Sequence, residues 1–461
     1  SSDSNLDTRS HFTTCFSSHF GMPPHQSIDI NPSTVSRMGS RYDIVVYGAT
    51  GFTGSYIVRT IATSPLFKGK TVAVAGRSES KLRATLDEIV KDTGVSEVSK
   101  YPIIIADTSD EESLVQMAKQ AKVIINAVGP YRLHGETVVR AAVENGASHV
   151  DVSGEPAYLE TMEMKYMETA NQNGVYVVGA CGWDSIPCDL GTDFLKRNFD
   201  GTLGYVETFV SNHRGPSGYS FNAGTYQTLI LGIASAKEDN LGKLRKAIMP
   251  TRLPAPKYKT PKRGTLWQVD EKPLQGWALP FMGSDKSIVQ RSQYYDYQVN
   301  GKKPFQIATY FSLGSYFWAL LVTGWVTIFA ILCMFKPTRK ILQAYPDQCS
   351  FYMFKNSGPT KQQMKEASFE YFFFGTGWGQ GETVDEQKPT KKANAVCRGP
   401  DPGYIATSGC IVSAALTILE DKEKMPNQGG VYTTASAFRD TRIFDYLKSF
   451  GITYEMIPEK N

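Results

Sequence analysis

The chain of 461 residues lacks a strong charge of either sign. Its 49 basic and 45 acidic residues leave a net charge of +4, which is too small to indicate a nucleic-acid partner. The mean hydropathy of -0.27 excludes a protein with many membrane spans, but it is compatible with one inserted segment. With 41% hydrophobic and 20% charged residues, the composition is globular, and the length predicts two domains with additional segments.

The cysteines lack the spacing of a metal or disulfide site. Seven of them are scattered along the chain without a Cys-x-x-Cys pair: Cys15, Cys181, Cys188, Cys333, Cys349, Cys397 and Cys410. An odd and scattered set argues against a disulfide scaffold and a zinc site, and it favours a reducing compartment. We therefore expect no metal centre.

Residues 1–38 lack the periodic apolar pattern of a core element. They are rich in Ser, Thr, His and Pro, and such a composition buries too little surface to offset the entropy cost of folding. We predict a disordered leader. A mitochondrial transit peptide fits less well, because Arg9 and Arg37 are outnumbered by three acidic residues.

A β-branched segment followed by a glycine-rich turn marks the start of the folded chain. Residues 42–47 predict a buried parallel strand, and a segment of helical character begins after residue 54. Glycines let the backbone turn sharply and approach a pyrophosphate, which then faces the amides of the helix N-terminus. This order predicts a dinucleotide site formed by Gly48, Ala49, Thr50, Gly51, Phe52, Thr53 and Gly54.

The end of the next predicted strand, 71–75, indicates which dinucleotide binds. Enzymes that use NAD usually carry an acidic residue about 20 positions after the glycines, whereas this chain has Arg77, 23 positions after Gly54. An arginine can donate two hydrogen bonds to a 2′-phosphate, and the Ser78 hydroxyl can add another. These residues favour NADP(H) over NAD.

Further strands and helices alternate, which predicts a doubly wound parallel sheet. Four more strands are expected, at residues 101–107, 122–128, 149–152 and 175–178. Ligands of such sheets bind beyond the carboxyl ends of the strands. We therefore place Asp107 near the adenine, and beside the nicotinamide we place Asn126, Ala127, Val128 and Gly129.

Six motifs together carry a resemblance to a known family. They are Tyr-Gly-Ala-Thr-Gly-Phe-Thr-Gly at 47–54, Ala-Gly-Arg-Ser at 75–78, Asn-Ala-Val-Gly-Pro-Tyr at 126–131, Asp-Val-Ser-Gly-Glu at 151–155, Cys-Gly-Trp-Asp-Ser-Ile-Pro at 181–187 and Gly-Pro-Asp-Pro-Gly-Tyr at 399–404. With these motifs the chain resembles the saccharopine dehydrogenase-like oxidoreductases of eukaryotes, plants included. The family also contains bacterial trans-acting enoyl reductases. The resemblance implies NADP(H) on a Rossmann domain and a separate α+β domain over the substrate.

The expected fold is therefore α/β, with a Rossmann-type doubly wound parallel sheet, a second α+β domain and one apolar membrane-associating segment. We assign residues 39–190 to the NADP-binding domain and residues 191–310 and 341–405 to the substrate domain. Residues 406–461 are expected to return to the Rossmann domain. Residues 237–285 are rich in Lys and Pro and predict a loop with short pieces of structure.

Residues 311–335 form the apolar segment, which has no charged residue over 25 positions and is followed by Lys336, Arg339 and Lys340. Its length is sufficient for a bilayer span. A single crossing would separate residues 398–461 from the NADP-binding domain, to which the family's C-terminal segment returns. We therefore predict a monotopic protein, with a re-entrant hairpin or an interfacial helix, on a lipid droplet or a mitochondrial or other organelle membrane.

The transfer of a hydride to a substrate also requires a proton donor near the acceptor carbon. Tyr131, in the predicted loop 131–135, and Asp184 are the expected catalytic residues. His134 and Ser153 are weaker candidates. Glu155 is expected to cap the helix that starts near Pro156 rather than to act as an acid.

Three functions remain open from the sequence. The first is an NADPH-dependent reductase of a lipid-linked unsaturated substrate at a membrane or droplet. The second is a saccharopine dehydrogenase of lysine metabolism. It is disfavoured because the loop reads Asp184-Ser-Ile-Pro187, where saccharopine enzymes carry Asp-Pro-Gly. The third is a membrane-associated protein that binds NADPH without turnover. The sequence does not indicate an oligomeric state.

Overall fold

Two seven-stranded sheets organise the protein in the computed structural model. It describes residues 41–254 and 257–458, so the predicted leader lies outside the described residues. The described residues belong to one compact unit. The predicted α/β class is confirmed, with a parallel sheet of the Rossmann type and a second, mixed sheet.

All strands of the first sheet are parallel. They are β1 (Tyr42–Tyr47), β2 (Val72–Gly76), β3 (Ile103–Ile105), β4 (Ala121–Asn126), β5 (Ser148–Asp151), β6 (Tyr176–Val178) and β15 (Gly430–Tyr432). Their order is β3-β2-β1-β4-β5-β6-β15, which is a doubly wound arrangement with one strand added at an edge. The sequence predicted six of the seven strands. The three-residue β15 was missed because its sequence, Gly-Val-Tyr, has no run of β-branched residues, whereas the equally short β3 and β6 read Ile-Ile-Ile and Tyr-Val-Val.

Helices cover both faces of the parallel sheet. One face packs against α1 (Phe52–Thr63), α2 (Glu79–Thr93) and α14 (Thr407–Glu420). The other face packs against α3 (Glu111–Lys119), α4 (Tyr131–Glu144) and α5 (Pro156–Gln172). In β1 and β2, alternate apolar residues belong to the cores on the two faces, as a parallel sheet between helices requires.

The second sheet has the order β16-β14-β13-β7-β11-β10-β9. Its strands are β7 (Gly201–His213), β9 (Trp267–Glu271), β10 (Leu274–Pro280), β11 (Gln306–Leu313), β13 (Ser368–Gly379), β14 (Lys391–Pro400) and β16 (Thr453–Ile457). Residues 237–285 contain α8 (Leu241–Ile248) together with β9 and β10, so this segment holds more regular structure than its composition predicts.

The two sheets share one apolar core. It extends from Val46 in β1 to Phe373 in β13 by way of α6 (Ile186–Asn198). A Cβ atom on Gly191 of α6 would lie 2.1 Å from the Phe373 ring, so glycine is needed for this close approach. The core is completed by three more helices, α9 (Asp285–Asn300), α15 (Thr434–Phe438) and α16 (Ile443–Ser449).

A smaller group of helices forms a separate apolar cluster. It contains α7 (Ala223–Ser235), α10 (Tyr316–Cys333), α11 (Lys336–Ala344) and α12 (Pro346–Cys349), beside the short parallel strands β8 (Phe221–Asn222) and β12 (Phe354–Lys355). From here α13 (Lys361–Glu366) leads back to β13. The predicted apolar segment therefore begins in β11 and continues as α10.

Candidate functional site

The turn between β1 and α1 requires glycine at both ends. Gly48 has a φ of +86°, and a Cβ atom on it would lie 2.7 Å from the Val128 side chain. A Cβ atom on Gly54 would lie 2.1 Å from the Gly48 carbonyl oxygen. The absence of both side chains lets α1 begin directly against the end of β1, as a pyrophosphate site requires.

The N-terminus of α1 suits an anion. Its N-cap is Gly51, which makes no side-chain cap hydrogen bond, and Thr50 and Gly51 are exposed while Ala49 is buried. Thr53 lies partly exposed in the first helical turn. Uncapped N–H groups at a helix N-terminus carry partial positive charge, so the turn fits the phosphates of NADP(H).

Phe52 anchors the glycine-rich turn through its ring. The ring centroid lies 4.6 Å from that of Tyr404, and a Cβ atom on Gly358 would lie 2.7 Å from the Phe52 ring. Asp401 holds the Tyr404 turn by accepting from the Tyr404 amide at 2.8 Å. The motif at 399–404 therefore supports the glycine-rich turn, and a predicted contact of Phe52 with a cofactor would involve its backbone, because its ring packs against the protein.

Arg77 stands at the end of β2 with an exposed guanidinium. Within the described residues it forms no ion pair with an acidic side chain. Ser78 caps α2 by accepting from the Lys81 amide at 3.4 Å. Hydrogen bonds from Ser109 lower the pKa of Asp107, and the positive charge of Arg77 contributes. A free guanidinium at this edge fits the 2′-phosphate of NADP(H).

At the end of β4, the groups that a ligand could reach belong to the backbone and not to the Asn126 side chain. Asn126 is fully buried; its Oδ1 accepts from the Val128 amide at 3.0 Å, and its Nδ2 lies 3.3 Å from His149 Nε2. Ala127 donates its amide to Tyr47 at 2.9 Å. Val128 is partly exposed and Gly129 is exposed. Asn126 therefore positions the loop that the nicotinamide would contact.

Tyr131 is buried in the interior, with 6% of its surface exposed. Its hydroxyl donates to the Asn126 carbonyl oxygen at 2.9 Å and lies 3.4 Å from the Val152 amide. Burial raises the pKa of Tyr131 well above its usual value. Because the hydroxyl ties the end of β4 to the chain after β5, the geometry favours a structural role over the predicted contact with substrate.

The predicted loop 131–135 is helical, since α4 begins at Tyr131. The Glu155 carboxylate accepts from the Tyr131 amide at 2.9 Å and from the Arg132 amide at 3.2 Å. Glu155 therefore caps α4, and the expected cap on the helix at Pro156 is wrong. The reason is spatial, because the parallel strands bring residue 155 beside the start of α4.

The two weaker candidates also have structural partners. His134 Nδ1 lies 3.3 Å from the Thr108 hydroxyl. Ser153 is buried, and its hydroxyl accepts from the Glu155 amide at 3.1 Å. Both contacts hold loops at the carboxyl edge of the sheet.

Asp184 is exposed, although the residues on both sides of it, Trp183 and Ser185, are buried. A Cβ atom on Gly154 would lie 3.4 Å from Asp184 Oδ2, which places the carboxylate beside the loop after β5. Desolvation by the protein packed around the carboxyl group raises its pKa to about 6, although the residue keeps an exposed surface. A recessed but accessible carboxyl group with such a pKa can hold or release a proton near neutral pH.

A buried polar cluster lies behind Asp184. Asp285 is fully buried and its Oδ2 accepts from the Tyr371 hydroxyl, while its Oδ1 has no hydrogen-bond partner among the residues that the structure describes. Burial raises the pKa of Asp285 well above its usual value, and the charge of Asp184 adds to the shift. Nearby, the Ser185 and Ser284 hydroxyls lie 2.9 Å apart. The sequence analysis missed this cluster, because Asp285 and Tyr371 carry no local motif.

Asp151 is a second carboxyl group that the sequence analysis did not single out. Its Oδ1 accepts from the amides of Ser153 at 2.9 Å and Ala180 at 3.1 Å, and its Oδ2 accepts from Tyr158 at 3.0 Å. Burial raises its pKa to about 6. The motif Asp-Val-Ser-Gly-Glu could have indicated such a residue, but all its contacts are internal, which makes Asp151 a link between β5 and β6.

Helix α7 extends across the carboxyl edge of the parallel sheet. At its start, the Asn222 amide donates to the Tyr404 hydroxyl at 2.6 Å. After its end, the Asp239 carboxylate accepts two hydrogen bonds from Arg132, at 3.0 and 3.1 Å. The 13 residues of α7 span about 20 Å between the glycine-rich turn and the start of α4. Its buried Tyr226 contacts Phe329 of α10, with the ring centroids 5.1 Å apart.

Comparison with known proteins gives a consistent result. Residues 44–178 match the family model described as the saccharopine dehydrogenase NADP binding domain. A protein of Caenorhabditis elegans named "Lipid droplet localized protein" is 58% identical over 91% of this chain and 99% of its own. A human protein named "Saccharopine dehydrogenase-like oxidoreductase" is 39% identical over 90% of this chain and 97% of its own.

A solved structure shares the fold. The apo saccharopine dehydrogenase (L-Glu forming) of Saccharomyces cerevisiae superposes with a TM-score of 0.50, at 12% identity, over 91% of this chain and 100% of its own. At this identity the likeness concerns the arrangement of the two sheets.

Proposed function

Because the chain belongs to the saccharopine dehydrogenase-like oxidoreductases and contains their NADP-binding domain, we propose that it reduces an unsaturated, lipid-linked substrate at a lipid surface. The observation that carries this proposal is the position of α7. One face of this helix contacts the exposed helix α10, and its ends lie at the two ends of the predicted cofactor site.

Helix α10 has the surface of a lipid-facing helix. Exposed apolar side chains recur at intervals of three, four and seven residues, which places them on one face of the helix: Phe317, Leu321, Ile328 and Ile331, followed by Phe335. The opposite side contributes Phe329 and Cys333 to the small apolar cluster. An exposed apolar face of this length is unusual on a protein surrounded only by water.

The topology of the second sheet supports insertion of α10 into a lipid surface from one side, without a crossing. The chain leaves β11 to form α10 and returns to the same sheet as β13, and both strands pair with β7. A crossing by α10 would require a second crossing before β13, but residues 336–367 include five lysines, an arginine, an aspartate and a glutamate. Monotopic insertion satisfies both conditions.

The name of the Caenorhabditis elegans relative concerns lipid droplets, and this supports the droplet among the predicted locations. A droplet is covered by a single phospholipid layer over neutral lipid, so only monotopic proteins can be embedded in it. The arrangement of α10 fits that requirement.

In this proposal, one set of residues binds the cofactor and another donates the proton. Bound NADPH supplies a hydride. The glycine-rich turn and the α1 amides hold the pyrophosphate, and Arg77 and Ser78 hold the 2′-phosphate. Asp184, whose pKa is about 6, donates a proton to the reduced substrate. The Tyr371 hydroxyl donates to the buried Asp285 carboxyl group, and the charge of Asp184 contributes to the raised pKa of Asp285.

The arginines around the site argue against saccharopine as the substrate. Recognition of several carboxylates requires free basic groups. Arg132 pairs with Asp239 and Glu155, Arg245 with Glu160, and Arg291 with Glu163. Each of these cations is neutralised by the protein itself.

The proposal is tested by NADPH oxidation on detergent-purified protein. One set of reactions contains enoyl thioesters and unsaturated membrane lipids, and a parallel reaction contains saccharopine with NADP. We expect turnover with a lipid-linked enoyl compound and its loss in Asp184→Asn. Turnover with saccharopine alone would overturn the proposal, and so would tight NADPH binding without turnover of any compound.

A further inference from the structure

The turn after α12 displays two aromatic side chains in an unfavourable backbone conformation. Phe351 and Tyr352 are 81% and 57% exposed, and their φ angles are 51° and 60°. The left-handed region is costly for bulky residues, and glycine is the usual residue there. Neither ring contributes to the protein core, so packing within the fold does not account for aromatic residues at these positions.

The backbone of the turn is held by hydrogen bonds. The Phe351 amide donates to Gln348 at 3.1 Å, and the Tyr352 amide donates to Asp347 at 2.7 Å. The Ser350 hydroxyl accepts from the Phe354 amide at 2.9 Å. Strained residues persist where the surrounding structure determines their conformation, and they are frequent at functional positions.

The turn is attached to the middle of α10. The Trp325 indole donates to the Cys349 carbonyl oxygen at 3.3 Å, and the rings of Trp325 and Phe354 are stacked with centroids 6.2 Å apart. Phe354 belongs to the same small apolar cluster as Phe329 of α10. The turn is therefore anchored to α10 through the small apolar cluster, while its own two rings remain exposed.

The surrounding charges suit an anionic phospholipid layer. Residues 311–346 contain no Asp or Glu, and Lys336 and Lys340 are exposed on α11. Asp347 of α12 is acidic, and its carboxylate accepts from the Asn356 amide at 3.2 Å. The Lys355 ammonium lies 6.0 Å above the Tyr352 ring. Aromatic and basic side chains together are typical of protein segments at the headgroup level.

We propose that Phe351 and Tyr352 form an aromatic turn that inserts into the phospholipid layer of a lipid droplet beside α10. This inference rests on the lipid surface of the proposed function. The rings enter between the headgroups, where a phospholipid layer stretched over neutral lipid leaves gaps, and the basic side chains around them contact phosphate groups.

The experiment is flotation of the full-length protein with triolein droplets coated with phosphatidylcholine and phosphatidylinositol. The variant Phe351→Gly/Tyr352→Gly removes both rings and retains the left-handed turn, because glycine adopts positive φ readily. We expect its droplet affinity to fall by about tenfold or more, without a fall in melting temperature or NADPH affinity. The variant Phe351→Trp/Tyr352→Trp should keep wild-type binding. Val299→Ser, which removes an exposed apolar side chain from the end of α9, is the matched control and should bind as the wild type does.

The outcomes separate this inference from the proposed function. If the wild type binds droplets and the glycine variant binds equally well, the aromatic turn is not an insertion element, and the proposed function is unaffected. A wild type that does not bind droplets would contradict the lipid-surface location itself. Equal binding to liposomes of the same phospholipids would overturn the assignment to a droplet, and a lower melting temperature for the glycine variant would show that the rings serve the fold.

Discussion

At the scale of single residues, we propose that the cofactor preference depends on one exposed side chain, that of Arg77. Arg77 lies at the end of β2, where an acidic residue would select NAD. Substitution Arg77→Glu replaces attraction to the 2′-phosphate by repulsion. We expect NADPH affinity to fall by about tenfold to a hundredfold while NADH affinity changes little, as measured by fluorescence titration.

A matched control for this charge reversal is Arg83→Glu. Arg83 is also exposed on the same part of the chain, and its ion pair is with Glu79 of its own helix. Its reversal should leave both affinities unchanged. An unaltered preference in Arg77→Glu would contradict the assignment of the 2′-phosphate site.

Gly54→Ala tests the glycine-rich turn. The added methyl group would lie 2.1 Å from the Gly48 carbonyl oxygen, so α1 must move away from β1. We expect a loss of about 1–3 kcal/mol in the free energy of unfolding together with loss of NADPH binding. Gly242→Ala on α8 meets no atom within 4 Å and should be tolerated; denaturant unfolding checks both.

The pH dependence of turnover should follow Asp184. Its pKa in the folded protein is about 6, so the protonated, proton-donating form is lost as pH rises through 6, and kcat for reduction should fall over that range. Stability changes with pH in the same direction. Because the pKa of Asp184 is higher in the folded protein than its ordinary value of 3.8, its contribution to the free energy of unfolding is fully present below pH 3.8 and is lost as the pH rises through 6. Asp184→Asn should lower kcat by about 10²–10⁴-fold and remove the inflection.

Asp151 provides the control for this titration, because its pKa is also about 6 but its carboxylate contacts only protein groups. Asp151→Asn should keep the inflection in kcat while it alters stability. If the inflection disappeared in Asp151→Asn and remained in Asp184→Asn, the proton donor would be misassigned.

Predictions for single residues succeeded where the structural constraint comes from neighbouring residues in the sequence. The constraints on Gly48 and Gly54 come from a seven-residue turn, and the sequence pattern reveals them. Tyr131 was assigned from its position near the strand end, but the orientation of its hydroxyl depends on the carbonyl of Asn126. Asp285 meets Asp184 only through the packing of α9 on α6, which no local pattern encodes.

At the scale of elements, two helices of similar hydropathy have different environments. Both α10 and the segment Pro402–Glu420 are long and apolar enough to cross a membrane. The latter includes α14, which is buried against the parallel sheet, whereas α10 is mostly exposed. Hydropathy alone does not separate them. The exposed α10 is the element that we expect to contact lipid.

Substitution Leu321→Glu/Ile328→Glu tests that contact. Both side chains lie on the exposed face of α10, so the charges should prevent insertion without disturbing the core. We expect the droplet-bound fraction to fall at least tenfold, because insertion would move two charged carboxylates into the lipid. The NADPH affinity should be unchanged. Flotation and cofactor titration measure the two effects, and Val299→Glu is the control. Undiminished flotation would contradict a lipid-facing α10.

At the scale of the whole molecule, alternation of apolar strands and amphipathic helices was sufficient to predict the parallel sheet. The second sheet was harder to predict from the sequence, because β9 and β10 lie in a segment rich in Lys and Pro and β10 pairs with β11, which is distant in the sequence. Predicted edges such as residue 190 fall inside α6, which packs against strands of the second sheet and belongs to the apolar core that both sheets share. A core shared by both sheets leaves no change of composition at its boundary.

We propose that α7 connects the NADP site to a lipid surface. The most direct test compares kcat/KM for one enoyl lipid presented on coated triolein droplets and in detergent micelles, for the wild type and for Leu321→Glu/Ile328→Glu. We predict that the wild type is faster on droplets and that the variant loses this advantage while its rate in micelles is unchanged. Equal rates of wild type and variant on droplets would contradict the account.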